Sequence, residues 1–278
     1  NNYLAKSQQG QSAIKFPYFV QKPVNTGVKT KHDVNGDNKI SSPADTYGFG
    51  YFPGHFGMAL LSKFPINEKA IRTFQQFKWK DMPNALKPTL PDSKKDYYSE
   101  QVWQDFRLSS KSHWDIPVTI NGKEIHILAS HPTPPVFDGP EDRNGKRNHD
   151  EIRFWLDYIS VNNQYIYDDN QKHGGIKPNV PFIIMGDQNA SSIEGDAINS
   201  SIKALLEYKN VQDPLPASIG AKQHSIDNVN GKNHTAYWRM RADYVLPSKN
   251  GWKVTRSGVF WPTKEQSEYR LIEDRKAS

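Results

Sequence analysis

The sequence predicts a layered α/β domain in which helices pack on the faces of a sheet. The first observation is a set of short apolar runs bounded by turn residues, each of a length typical of a strand. They lie at residues 56–62, 123–130, 181–185, 242–247 and 257–262. The second observation is a pair of amphipathic segments whose apolar side chains recur at helical spacing. A chain of 278 residues can bury one large core or two smaller ones.

Two of the strand candidates have patterns of central strands. In 123–130, Ile127 and Leu128 point to opposite faces, so both faces of this strand carry apolar side chains. The run 181–185 is apolar throughout, which is typical of a strand buried in the middle of a sheet. Both strands are followed directly by polar residues, and a buried sheet therefore presents polar side chains where these strands end.

Both helix candidates carry recognisable signals. Asn148 followed by Glu151 matches a capping box, which predicts that the first helix begins at Asn148. Its apolar stripe consists of Ile152, Trp155, Leu156 and Ile159. The second helix is expected from about Asp196. Its apolar side consists of Ile198, Ile202, Leu205 and Leu206.

The composition narrows the classes of partner and of site. The chain has no cysteine, which excludes disulfides, thiol catalysis and cysteine-bound zinc, and suits a secreted or periplasmic bacterial protein. The net charge of +6 favours an anionic partner such as nucleic acid, a phosphorylated metabolite or a lipid headgroup. No apolar run reaches the roughly 18–20 residues that span a bilayer. No protein partner can be predicted.

A run of alternating oxygen-bearing side chains predicts a calcium loop at residues 33–45. The candidate ligands are Asp33, Asn35, Asp37, the backbone carbonyl of Lys39, and Asp45. Ca²⁺ takes six to eight hard oxygen ligands, and the first part of this run has the spacing of an EF-hand loop. Asn38 stands where such loops carry glycine, but asparagine tolerates the left-handed conformation. The alternative is a metal-free surface turn rich in Asx residues.

The segment after the strand 181–185 is the strongest functional signal. Gly186 lets the backbone turn closely at the strand end, and Asp187 and Asn189 follow it two residues apart. Residues i and i+2 of an extended segment point the same way, so this acid and this amide can address one site. Polar residues at the carboxyl ends of strands often form the sites of layered α/β proteins.

Other candidate site residues follow or begin other predicted strands. His131 comes directly after the strand 123–130, at the start of a loop with four prolines in residues 132–140. An imidazole there can donate a hydrogen bond or a proton to a phosphate oxygen. Arg241 and Asp243 occupy alternate positions of the strand near 242–247, and His149 can reach the site through the proline-rich loop.

Four segments together resemble the endonuclease/exonuclease/phosphatase superfamily, which includes pancreatic deoxyribonuclease, abasic-site endonucleases, sphingomyelinases and inositol phosphatases. They are "GMALLSKFPI" (57–66), "ILASH" (127–131), "IIMGDQNA" (183–190) and "RADYVLP" (241–247), and they occur in the family's order. The resemblance implies an α+β, deoxyribonuclease I-like fold: a four-layer α/β/β/α sandwich of two mostly antiparallel sheets with helices outside. It also implies hydrolysis of a phosphoester, assisted by Mg²⁺ or Mn²⁺.

The resemblance also implies roles for individual residues. Asp187 orients and activates the attacking water, while Asn189 holds the phosphate or a metal-bound water. Asp187 and Asn189 are accordingly the expected ligands of the catalytic metal. His131 stabilises charge on the phosphate, and Asp243 supports the site through hydrogen bonds. Arg241 is expected to contact the substrate, and His149 is a further candidate for substrate binding from its place in the sequence.

Two family features are missing from the sequence. No strand followed by a metal-binding glutamate precedes residue 47, and no Ser-Asp-His triplet follows the run 257–262. The resemblance therefore implies a single domain over residues 1–278 that lacks its first strand or strands and its C-terminal Ser-Asp-His segment. The alternative is a catalytically inactive, calcium-stabilised binding or accessory domain with the same fold. Nucleic acid, a phospholipid and a small phosphoester all stay open as substrates.

Overall fold

The computed structural model describes residues 3–7, 10–41 and 43–273. The strands are β1 (Tyr18–Val20), β2 (Leu60–Ser62), β3 (Arg72–Thr73), β4 (His113–Ile120), β5 (Lys123–Ser130), β6 (Phe182–Asp187) and β7 (Asp243–Pro247). The α-helices are α1 (Glu100–Asp105), α2 (Arg143–Tyr158), α3 (Ser200–Glu207) and α4 (Ile219–His224). Short 3₁₀ helices occur at Glu68–Ala70, Trp79–Asp81, Gly231–Asn233 and Ser267–Leu271. The last five residues, in the region where a Ser-Asp-His segment was sought, lie outside the described residues.

The main sheet has five strands in the order β3-β4-β5-β6-β7. β4 and β5 form a hairpin whose turn, Asn121–Gly122, has positive φ at both residues, as a type I′ turn requires. β5 and β6 run parallel, while β6 and β7 run antiparallel with Asp187 opposite Asp243. The carboxyl ends of β5 and β6 and the start of β7 therefore meet at one edge of the sheet.

Apolar side chains on the two faces of this sheet belong to two different cores. On one face, Leu128, Ile184 and Leu246 pack in a cluster with side chains of α2 and α3. On the other face, Trp114, Ile116, Val118 and Ile127 pack with Val20 of β1 and with Leu60 of β2. The alternation expected for the strand 123–130 is confirmed, because Ile127 and Leu128 belong to opposite cores.

The α+β fold class is confirmed, with two sheets packed face to face and helices on the outer face of the larger one. The smaller sheet consists of the antiparallel pair β1–β2. Phe19 and Leu61 are paired across it and point outward, and their side chains are 64% and 41% exposed. The fourth layer of the expected sandwich is therefore not formed by the described residues over this face.

Several predicted boundaries differ from the structure. Residues 257–262 form no strand, because the segment has no ladder partner and Val259 donates only a single hydrogen bond to the Ala217 carbonyl. Of the run 56–62, only the last three residues pair as β2. The second helix begins at Ser200 and not near Asp196.

The first predicted helix begins five residues before Asn148. Its first residue is Arg143, and the Asp138 carboxylate accepts a hydrogen bond of 2.6 Å from the backbone N–H of Asn144 in the first turn. The capping role predicted for Asn148 is therefore wrong. Asn148 and Glu151 are both fully buried in the middle of α2.

None of the helices within the described residues is long and apolar enough to cross a lipid bilayer.

Candidate active site at the edge of the main sheet

Three of the predicted site residues line one cavity at the sheet edge. His131 follows β5, Asp187 ends β6 and Asp243 begins β7, and all three border a cavity of about 1020 Å³. Nε2 of His131 lies 3.7 Å from Oδ2 of Asp187. The parallel pairing of β5 with β6 brings the first two together, and the antiparallel register of β7 adds the third.

Gly186 is required by its surroundings. Its φ is +140°, and a Cβ at this position would lie 2.0 Å from the carbonyl oxygen of Ser130. Only glycine fits such a close approach between two neighbouring strands. The chain then turns so that the backbone N–H of Asn189 donates to Oδ1 of Asp187 at 2.7 Å, with Asn189 itself left-handed at φ 51°.

The side chain of Asn189 holds the loop that carries His131. Its Nδ2 donates to the carbonyl oxygen of Pro132 at 3.1 Å. The same oxygen accepts a longer hydrogen bond of 3.5 Å from Nζ of Lys111. Lys111 is buried just before β4 and is not among the residues predicted from the sequence.

Asp243 is positioned through its backbone. The hydroxyl oxygen of Thr235 accepts hydrogen bonds of 3.0 Å from the N–H groups of both Ala242 and Asp243. The Asp243 side chain is exposed to the cavity, and its carboxylate accepts no hydrogen bond from the described residues. Thr235 also lines the cavity and was not predicted as a site residue.

Helix α2 connects three loops around the site. Nδ2 of Asn148 donates to the carbonyl oxygens of Thr133 and Gln188, at 2.8 and 2.9 Å. The Glu151 carboxylate accepts the backbone N–H groups of Ser110 at 2.7 Å and Thr133 at 2.6 Å. Asn148 and Glu151 therefore fix the loops after β5 and β6 and the loop before β4.

Burial controls the charge of the cluster. Burial raises the pKa of Asp187 to about 6, and the nearby Asp243 carboxylate acts in the same direction. Burial, together with the positive charge of Lys111, lowers the pKa of His131 to about 4. Burial also lowers the pKa of Lys111 to about 8, against the opposing effect of Glu151. Near neutral pH the cluster therefore combines an ionised Asp187, a neutral imidazole and a charged lysine.

The structure places two other predicted residues in different contacts. Both NH₂ groups of Arg241 bind the Asp213 carboxylate, at 2.6 and 2.8 Å, and its guanidinium packs over the Tyr244 ring. His149 is paired through one ring nitrogen with Asp150 and through the other with the Ser200 hydroxyl. Neither residue lines the cavity.

The predicted calcium loop is folded around its own backbone. The Asp33 carboxylate accepts the N–H groups of residues 36, 37 and 38, and the Asp45 carboxylate accepts those of residues 34 and 41. Asn38 has the left-handed φ of 63° that the loop pattern requires. The described residues contain no group of three or more His, Asp or Glu side chains arranged to hold a metal ion. Calcium binding here stays a prediction.

A family model described as the endonuclease/exonuclease/phosphatase family matches residues 8–266. The chain belongs to this family. Members of the family are phosphoester hydrolases and usually depend on a divalent cation. No curated protein matches the chain.

Solved structures similar to this family member share little sequence with it. A β-hairpin deletion mutant of beta toxin from Staphylococcus aureus is 17% identical, with a TM-score of 0.44, covering 90% of this chain and 70% of that chain. An endonuclease/exonuclease/phosphatase from Beutenbergia cavernae is 12% identical, with a TM-score of 0.47, covering 84% of this chain and 47% of that chain. Sphingomyelinase C from Streptomyces griseocarneus is 16% identical, with a TM-score of 0.37, covering 86% of this chain and 65% of that chain. The chain thus spans about half to 70% of the length of these proteins.

The oxygen donors of the site suit the divalent cation that the family uses. Asp187 and Asp243 are carboxylates that border the cavity. Asn189 is buried and does not border the cavity; its Nδ2 is committed to the Pro132 carbonyl, and its Oδ1 is the atom left to act as a ligand. Hard oxygen donors are the ligands of Mg²⁺ and Mn²⁺. Mg²⁺ commonly binds through one or two carboxylates and completes its coordination with water and substrate oxygens. The residues present fit that arrangement.

Proposed function

We propose that this chain hydrolyses phosphoester bonds at the cavity bordered by His131, Asp187 and Asp243. The observation that carries the proposal is the convergence of these side chains, from three strand ends, on one cavity. Phosphoester hydrolysis requires a group that accepts a proton from water and donors for the phosphate oxygens. Membership of a family of phosphoester hydrolases supports the same conclusion.

The side chains suit a direct displacement by water. Asp187 is the proton acceptor, because its half-buried carboxylate forms no salt bridge with a lysine or arginine among the described residues and its pKa is raised to about 6. It takes a proton from water as the water oxygen forms the new bond to phosphorus. The neutral imidazole of His131 donates its N–H to a phosphate oxygen. The bond from phosphorus to the leaving oxygen breaks; that oxygen takes up a proton from solvent, and Asp187 releases its proton to solvent. Asn189 holds the loop that fixes His131 in place.

A divalent cation fits beside these residues. Asp187 and Asn189, with Asp243 next to them, would hold Mg²⁺ or Mn²⁺, which when bound supplies positive charge to the phosphate oxygens. The substrate is a phosphomonoester or a phosphodiester. The cavity wall between the three site residues and residue 260 is rich in apolar side chains, among them Met185 and Phe260.

Hydrolysis assays on three substrates test the proposal. Plasmid DNA, a chromogenic phosphodiester and a chromogenic phosphomonoester are each incubated with the chain in Mg²⁺, Mn²⁺, Ca²⁺ or chelator. We expect metal-dependent release of product from at least one of them, and a decrease of about 10²-fold or more in Asp187→Ala. Asp196→Ala, which removes an exposed carboxylate near the same loop, is the matched control. Unchanged turnover in Asp187→Ala would remove this residue from the mechanism, and no turnover on any substrate would favour the inactive accessory domain.

A further inference from the structure

Lys111 is a buried cation without a close counter-ion. Its side chain is 5% exposed, and within the described residues it has no carboxylate within 4.0 Å. The hydrogen bond of its Nζ to the Pro132 carbonyl is 3.5 Å long and uses one of three N–H donors. A charge buried in this way is unfavourable for folding. Its position next to the carbonyl of Pro132, the residue after His131, therefore points to a function.

The neighbouring buried charges do not neutralise Lys111 at short range. Arg147 is also buried, and it donates to backbone carbonyl oxygens of residues 47, 107 and 108. The carboxylate of Glu151 already accepts two backbone N–H groups. Among the described residues, Lys111 and Arg147 thus share the buried carboxylate of Glu151, and the other negative charge that acts on Lys111 is that of Asp187 at the cavity.

Lys111 is tied to the site through the Pro132 carbonyl. That oxygen accepts hydrogen bonds from Lys111 and from Asn189, and it belongs to the residue after His131. The charge of Lys111 accordingly acts on both His131 and Asp187. Arg241, the cation that the sequence suggested for substrate binding, is instead neutralised by Asp213.

We infer that Lys111 is a positioning residue that supplies a fixed positive charge to the phosphate group in the cavity, acting from behind His131 and Asn189. The inference rests on the proposed function, since it takes this cavity as the phosphate site. Negative charge builds up on the phosphate oxygens as the phosphoester is attacked. The buried ammonium stabilises this charge from its fixed position behind the Pro132 carbonyl, without contacting the substrate.

Binding of inorganic phosphate tests this inference without turnover. Thermal unfolding and calorimetric titration are measured with phosphate at a fixed Mg²⁺ concentration. Lys111→Met has nearly the same shape without the charge, so its melting temperature in phosphate-free buffer should equal or exceed that of the wild type. Its affinity for phosphate should fall about tenfold or more, and the stabilisation by phosphate should largely disappear.

Two further variants separate charge from hydrogen bonding. Lys111→Gln keeps a donor for the Pro132 carbonyl but has no charge, and it should lose phosphate affinity as Lys111→Met does. Lys87→Met is the matched control, because Lys87 pairs with Asp96 and packs over the Trp103 ring, and it should bind phosphate like the wild type.

The opposite results are equally informative. Wild-type phosphate affinity in Lys111→Gln, with a lowered melting temperature in Lys111→Met, would make Lys111 a purely structural tie and overturn the inference. If the wild type hydrolyses a phosphoester and Lys111→Met binds phosphate as tightly as the wild type does, the inference about Lys111 is overturned and the proposed function stands. Absence of hydrolysis and of phosphate binding in the wild type would overturn the proposed function with it.

Discussion

Replacing Glu151 with glutamine should destabilise the fold strongly, since this carboxylate holds two loops of the site. Its oxygens accept N–H groups of Ser110 and Thr133 at 2.7 and 2.6 Å in a fully buried environment. Glutamine keeps one acceptor oxygen but turns its NH₂ group towards the other N–H. The loss of one charge-assisted hydrogen bond is about 1.5–3 kcal/mol. With the removal of negative charge beside Lys111 and Arg147, the total reaches about 3–5 kcal/mol.

Urea unfolding followed by far-UV circular dichroism measures this change. With a slope of about 2–3 kcal/mol per M, the unfolding midpoint of Glu151→Gln should fall by about 1–2.5 M at an unchanged slope. Glu207→Gln on α3 is the control, because Glu207 is exposed and its replacement should alter stability by less than about 0.5 kcal/mol. If the midpoint of Glu151→Gln also stays within about 0.3 M of the wild type, the two loops are held by other contacts and the reasoning is refuted.

Three further predictions concern other parts of the structure. Gly186→Ala should lower the free energy of unfolding by about 3 kcal/mol or more, because the added Cβ would clash with the Ser130 carbonyl. Gly122→Ala, with open space around the added Cβ, should lower it by only about 1–2 kcal/mol. Equal losses of the two variants in urea unfolding would contradict this reasoning. Burial lowers the pKa of His113 to about 4, so the unfolded chain binds this proton more tightly than the folded chain does. The free energy of unfolding should therefore fall by about 3 kcal/mol as the pH drops from 6.5 to 4. That loss should be absent from His113→Gln in the same titration, and an identical pH profile would refute the assignment. If the loop at residues 33–45 binds Ca²⁺, the ion at about a hundredfold excess over its Kd should raise the melting temperature of the wild type by about 5–10 °C but not that of Asp37→Asn. No shift in the wild type would favour the metal-free turn.

The sequence was sufficient to predict that His131, Asp187 and Asp243 lie close together, because strand ends are visible in it. Apolar runs that stop at His131 and Gly186 mark where β5 and β6 leave the core, and parallel strands bring such ends to one edge. Asp243 could be added because it begins another apolar run. The fold class followed from the same alternation of apolar runs with amphipathic segments, and the family resemblance supplied the sandwich.

Contacts between distant residues were not predictable in this way. Arg241 is neutralised by Asp213, which lies 28 residues earlier on a loop with no local signal. Lys111 looks like an ordinary surface lysine in the sequence, and only the packing around it makes it buried. Asn148 and Glu151 have the spacing of a capping box, but the same spacing also places two side chains on one face of a helix interior.

The position of Asn148 and Glu151 on α2 has a consequence for how the site opens. Because one helical turn holds the loops at Ser110, Thr133 and Gln188, none of these loops can detach while the turn stays packed. They therefore belong to one cooperative unit of local unfolding, a foldon, together with α2. The amide protons of Ser110 and Thr133 should exchange with solvent at a common opening free energy, so that the cavity at the sheet edge is formed or lost as a whole.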